Sequence, residues 1–372
     1  MGSRGTGQIG RDQYSDDYKS IKEFDPKWMG PASQKVWSGV VDGWPTNRPI
    51  EKKIAYYDEE NYFVTDNVGC DNVLDVEPKF LYKINSNGFR SQHFKEVDNN
   101  KITILTGGCS HSFGEGLPEE LRWQSFLLNN INLNNIETFD VSSMGGSFRL
   151  IIRNVVSFIR NYGKPDYIFL ALPDVGRDLA FEDTGKTFQS VSVNSEFLIK
   201  KDKTPECFKK YTLSFDEHEA MMIAVEAIWF LEELCNQSGI KLFWTTWVPG
   251  LDKVFTELRI FNNYIKTDWE IFVQTRHLFQ NKINHDINIS EKILKIKEEH
   301  KKTNHYLIEA NINEDHPLAL EYIKNNNITN LELIKYIKKY WLLANDGAHH
   351  GVFWTSSIGR MFGEKINNDT KN

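Results

Sequence analysis

The chain has 372 residues, 40% of them hydrophobic and 26% charged, with a formal net charge of −7. That balance excludes a disordered or fibrous chain and is enough for a sizeable core, while the negative charge argues against a surface built to neutralise phosphates, so no nucleic-acid partner is expected. The four cysteines, Cys70, Cys109, Cys207 and Cys235, are widely spaced with no C-x-x-C, which argues against a zinc site and a disulfide framework and for reduced thiols.

The opening segment, MGSRGTGQIGRDQYSDDYKS, has no apolar h-region, and no apolar run along the chain is long enough to span a bilayer. The expectation is a cytoplasmic chain without a membrane partner, with a virion or surface assembly as the alternative. Residues 1–25 are polar and read as an arm. Residues 26–100 are rich in Trp, Tyr, Pro, Gly and Asp and read as irregular or short-stranded structure. Together, 1–100 form an N-terminal extension to a main domain over 101–372.

The main domain opens with Ile102–Thr106, an apolar run that stops at Gly107-Gly108, as a buried strand does. Pro118 then precedes a helical stretch. Ile136–Val141 is a second strand. Ser147 caps a helix with Ile151, Val155 and Phe158 on one face, ended by Gly163 and Pro165. Asp166–Leu172 is a third strand, and residues 174–215 read as an inserted loop region. Asp216 and Glu219 have capping-box spacing for a helix that ends at Gly239. Ile240–Trp247 is a fourth strand. Residues 251–340 are polar and rich in Lys, Asn and Ile, and read as a helical insertion, with Thr329 and Glu332 opening its last helix. Gly351–Lys365 forms the closing helix. Strands alternating with helices at this spacing predict an α/β fold with a parallel sheet and helices on both faces.

In such sheets reactive groups gather at the carboxyl ends of the strands. The first strand ends in GGCSHSFGEG, where glycines permit a sharp turn and Ser110 has an exposed hydroxyl beside a backbone donor. This is not the G-x-S-x-G elbow, because Ser112 stands at its second glycine. Late in the chain, Asn345–Gly351 places Asp346 three residues before His349. A carboxylate so placed can hold the imidazole while its other nitrogen faces a serine.

GCSHSFGEG resembles the first conserved block of the SGNH, or GDSL-like, hydrolases, and DGAHHG resembles their D-x-x-H block. Residues 82–94, YKINSNGFRSQHF, resemble the N-x-x-G-F-R lead-in found before the first block in many bacterial members. SSMGGSF, residues 142–148, stands where the second block supplies an oxyanion-hole glycine. The likeness covers about residues 80–175 and 340–365. It implies a flavodoxin-like three-layer α/β/α sandwich and a serine esterase acting on a small acyl ester, for example an O-acetyl group on a carbohydrate. It also implies Ser110 as nucleophile, His349 as base and Asp346 as its orienting carboxylate, with the amides of Ser110 and of Gly146 or Gly145 as oxyanion donors and no cofactor or metal. The family's third-block asparagine has no counterpart in ALPDVGRD, residues 171–178, and Arg177 is the candidate replacement.

Other readings remain open. The same triad would serve acyl transfer to an alcohol, and the same scaffold without catalysis would serve a binding or particle component. Cys109 is an alternative nucleophile. His111 and His350 read as bystanders, and metal binding by His111, His349 and His350 lacks acidic partners at fixed spacing. Glu115 reads as a surface residue.

Overall fold

In a computed structural model of the chain, residues 56–57, 63–66, 81–85, 87–143, 145–181, 188–192, 217–258, 261–267, 317–341, 344 and 349–369 are described. The extension contributes three short antiparallel strands, β1 (Tyr56–Tyr57), β2 (Phe63–Asp66) and β3 (Leu81–Ile84), in the order β1-β2-β3. The main sheet begins with β4 (Ile102–Gly108), buried at every position after the first. It is followed by β5 (Ile136–Asp140) and β6 (Tyr167–Leu172). All six positions of β6 are buried, as its unbroken YIFLAL run requires of a strand covered on both faces.

Within residues 174–215, where a loop is expected, lies an antiparallel hairpin of β7 (Arg177–Phe181) and β8 (Phe188–Ser192). The main sheet resumes with β9 (Lys241–Thr246), giving the parallel order β5-β4-β6-β9. A parallel bridge from Trp244 to Tyr264 starts the next position beyond β9. This is the doubly wound order, and its switch point lies between β4 and β6.

The helices follow from punctuation and apolar stripe. A short α1 (Ser110–Phe113) leaves β4. Pro118 does not open the next α-helix. It caps a single 3-10 turn, Glu119–Leu121, and α2 (Trp123–Asn129) starts only after Arg122. In α3 (Phe148–Tyr162) the Ser147 hydroxyl accepts from Leu150 N at 3.3 Å, the expected cap, and Gly163 ends the helix. Then come α4 (Glu217–Ser238), α5 (Pro249–Leu258), α6 (Pro317–Asn325), α7 (Leu331–Lys339) and α8 (Val352–Asp369). The expected cap Asp216 lies outside the described residues. The cap of α7 is Asn330, not Thr329, because its side chain accepts from the amides of Glu332 and Leu333.

Helices cover both sheet faces. A side chain at Gly107 would meet Leu170 and Ile151, so that face looks toward α3, which packs on α4. The alternate residue Phe169 packs against Phe362 of α8 as a tilted ring pair, at 5.0 Å between ring centroids, and α8 packs on α2. The α2–α8 crossing needs glycine: a Cβ on Gly359 would lie 2.5 Å from the Trp123 carbonyl. Helices α6 and α7 bury Ala319 and Ile337 in a second cluster with Leu117, Leu121, Tyr340 and Trp341, beside the closing helix. The outer edge of β5 is covered by the segment after β3, where Gln92 donates to Thr138 O at 2.6 Å and Ser91 Oγ accepts from Asp140 N at 2.9 Å. Among the described residues no helix is long and apolar enough to cross a membrane.

Candidate active site

At the end of β4 the chain turns under itself. A Cβ on Gly108 would sit 2.0 Å from Ser112 Oγ and 2.4 Å from the Ala171 carbonyl, so only glycine fits there. Cys109, in extended conformation, then caps α1, whose first residue is Ser110. Gly114 closes the helix at φ 75°, in the left-handed region that glycine favours. Both Gly114 N, at 3.0 Å, and Glu115 N, at 3.1 Å, donate to the Ser110 carbonyl. Ser112 points into the sheet and donates to Ala171 O at 3.2 Å. Ser110 is 5% exposed and Ser112 not at all.

The carbonyls leaving this turn are held by buried side chains. Nη1 of Arg90 donates to Phe113 O, Gly114 O and Leu117 O at 3.3, 2.9 and 3.0 Å. Arg122 and Gln124 both donate to Ser112 O, at 3.2 and 2.8 Å. The Tyr82 hydroxyl accepts from Gly116 N at 2.7 Å, and the Arg90 guanidinium lies 4.5 Å above the Tyr82 ring. Glu119 pairs with both arginines and Asp140 with Arg122, so the two cations are neutralised in place. The lead-in N-x-x-G-F-R thereby acquires a structural meaning. Asn85 Oδ1 accepts from the amides of Asn87 and Phe89, Phe89 enters the core, and Arg90 grips the turn that carries Ser110. Arg90, Arg122 and Tyr82 were not singled out as site residues from the sequence; only the lead-in motif pointed at Arg90. A cavity of ≈ 160 Å³ lies against the same arginines, with Gln92, Gln124 and Asp140 in its lining, on the β5 side.

The late segment arrives at this turn through its histidines. His111, next to Ser110, stacks on His350 with ring centroids 4.3 Å apart and meets His349 edge-on at 4.8 Å. Its Nδ1 accepts from His350 N at 3.2 Å. Trp247, just past β9, packs 5.2 Å from both His111 and His350. His349 Nε2 lies 3.5 Å from Glu115 Oε2, which places Glu115 in the site and not on the open surface. Asp346 lies outside the described residues.

Electrostatics separate these groups. Burial, with His349 beside it, lowers the His350 pKa to about 3 despite a hydrogen bond to the Trp247 backbone. Burial and the neighbouring His350, His349 and Arg177 hold His111 well below the usual imidazole value. Burial pushes the Cys109 thiol up, only partly offset by the Arg177 charge and by hydrogen bonds from the Ser110 side chain and nearby amides. A thiol so placed is a poor source of thiolate, which counts against Cys109 as nucleophile.

For the oxyanion donors, Ser143 N ties the second loop to β4 by donating to Gly108 O at 3.0 Å. Gly145 has φ 67°. The Gly146 amide donates to Ser143 O at 3.0 Å, so it is engaged inside its own turn. Arg177 begins β7 close enough for its charge to act on Cys109 and His111. Among the described residues no group of three or more His, Cys, Asp and Glu side chains is arranged to hold a metal ion.

No protein-family model matches the chain. No curated protein matches it either. Among solved structures, a member of the lipolytic protein G-D-S-L family from Veillonella parvula is similar to 42% of this chain over 84% of its own length, at 15% identity and a TM-score of 0.21.

Proposed function

We propose that the chain is a serine ester hydrolase with Ser110 as nucleophile and His349 as general base. The observation that carries this reading is the meeting of α1 with the His349-His350 pair: the edge-on contact of His111 with His349 joins segments more than two hundred residues apart at the switch point of the sheet. His349 takes the Ser110 proton as Oγ attacks the ester carbonyl, and Asp346 orients the imidazole. The amides of Ser110 and of Gly145 or Gly146, with Arg177, hold the oxyanion. His349 returns the proton to the departing alcohol, and water then releases the acyl group from Ser110. A small acyl ester on a polar scaffold such as a carbohydrate is the substrate class that the sequence resemblance favours.

Labelling of the full chain by a fluorophosphonate tests this reading, because only an activated serine reacts. Labelling and hydrolysis of a small aryl acetate are both expected, and both should vanish in Ser110→Ala. An unlabelled Ser110 in folded protein defeats the reading and leaves a non-catalytic scaffold, the alternative favoured by the engaged Gly146 amide and by the absence of Asn from residues 171–178.

A further inference from the structure

We infer that Glu115 is a positioning residue for His349, supplying the counter-charge for the imidazolium that forms when the ring accepts a proton. The contact between the two side chains is read directly from the geometry; its catalytic consequence rests on the Ser110–His349 reading above.

Glu115 Oε2 and His349 Nε2 are 3.5 Å apart, and the two side chains are only 18% and 17% exposed. That distance is longer than a good hydrogen bond, so the interaction is mainly electrostatic. Partial burial strengthens it by limiting solvent screening. The origin of the carboxylate is fixed with respect to the nucleophile, because Glu115 N is bonded to the carbonyl of Ser110 itself. The left-handed Gly114 supplies the bend that aims residue 115 back over α1.

The neighbours of His349 sharpen the argument. Three imidazoles lie within a few ångströms, and a proton entering such a cluster settles where its charge is best compensated. On His111, Nδ1 already accepts the His350 amide, and the positive charge of Arg177 acts on the ring. The His350 ring is hydrogen-bonded to the Trp247 backbone and packed between His111, Trp247 and Trp354. His349 has the Glu115 carboxylate in ion-pair range. Charge therefore collects on His349, while His111 and His350 stay neutral beside it. A base of this kind needs its charged form stabilised without a charged neighbour competing for the proton. Glu115 meets the first need and the neutral His111–His350 stack meets the second.

The test follows the His349 ring by NMR in the full-length chain, with its signal assigned by its loss in His349→Gln. In Glu115→Gln the His349 pKa should fall by about one unit, the low end of shifts from an opposite charge at this distance. Glu115→Asp, a shorter carboxylate, should give a smaller fall, and it carries the test if the glutamine variant does not fold. The acidic limb of kcat/KM should move to lower pH by the same amount in each variant. Equal His349 titration in wild type and Glu115→Gln overturns the inference. Fluorophosphonate labelling separates the two readings: a shifted His349 with Ser110 unlabelled keeps the ion pair and sinks the hydrolase, whereas labelled Ser110 with an unshifted His349 does the reverse.

Discussion

The two sides of the site, which the proposed function makes a nucleophile side and a base side, are built by different means. On the nucleophile side, the carbonyls of Ser112, Phe113, Gly114 and Leu117 are each held by a buried Arg90, Arg122 or Gln124 side chain, and the arginines are neutralised by Glu119 and Asp140. On the base side, His349 and His350 are located by ring packing on His111 and Trp247, by one backbone amide on His111 Nδ1 and by a bond from Ala344 N to His349 O at 2.9 Å. A network of buried charges is rigid and costly to damage, because removing one partner strands the others. A stack of neutral rings contributes packing and little directional force. Damage on the nucleophile side should therefore appear first as lost stability, and damage on the base side first as lost turnover.

The largest expected effect lies on the base side. His349→Ala should lower kcat by on the order of 10⁴-fold or more, as loss of a triad base does, with little change in melting temperature. His350→Ala should cost far less activity. Equal losses in the two variants would erase the assignment of the base and with it the contrast between the sides.

On the nucleophile side, Arg90→Leu removes a cation that serves three carbonyls and leaves Glu119 with Arg122 alone. A loss of about 1–3 kcal/mol is expected, the cost of leaving a buried acceptor unsatisfied, read as a lower denaturant midpoint. A variant that keeps wild-type stability and loses only turnover would break the comparison.

Acid sharpens it. The folded pKa of His350 is near 3, below the ordinary value of about 6.5 that it takes when unfolded. The unfolded chain then binds more protons than the native one between those values, so the stability this histidine contributes is complete above about pH 6.5 and declines as pH falls toward 3. One such group contributes at most about 1.4 kcal/mol per pH unit. His350→Gln should flatten the fall in melting temperature between those pH values relative to wild type. Parallel curves would show that the ring is not held neutral.

The smallest effect belongs to Cys109. Its sulfur is buried and its thiol held protonated. Cys109→Ala should cost about 1 kcal/mol, as a typical core truncation does, and should leave most of the esterase activity. A dead Cys109→Ala variant that is still folded would move the nucleophile from residue 110 to residue 109.

Much of this architecture was legible in the sequence, because local rules decide it. Strand ends at Gly107-Gly108, the Ser147 cap, the stop at Gly163 and the alternation of β4, β5, β6 and β9 with helices all follow from φ/ψ freedom, capping and apolar period. Local rules failed where a long-range partner intervened. Pro118 gave one 3-10 turn and not the start of α2, and Arg122, in the gap between them, is spent on Asp140, Glu119 and the nucleophile turn. Residues 174–215 include the β7–β8 hairpin where a plain loop is expected, since strand pairing depends on a partner several residues away.

The candidate site divides along the same line. Ser110, Gly114 and the paired histidines were visible as a strand-end turn and a late motif, because spacing along the chain limits what such segments do locally. The approach of the Glu115 carboxylate to His349 was not visible, and Glu115 read as an ordinary surface residue; Asp346, the carboxylate expected beside His349, lies outside the described residues. The ring stack and the grip of Arg90 and Arg122 on four carbonyls were not visible either. These are contacts between segments up to 239 residues apart, and only the closed sheet, with β4 at its switch point, brings them within reach. Sequence by itself determined where the chain turns and which residue types stand at the turns. Tertiary structure decided which of them meet, because hydrogen bonds need atoms within a few ångströms and Coulomb interactions are screened beyond about 8–10 Å in water.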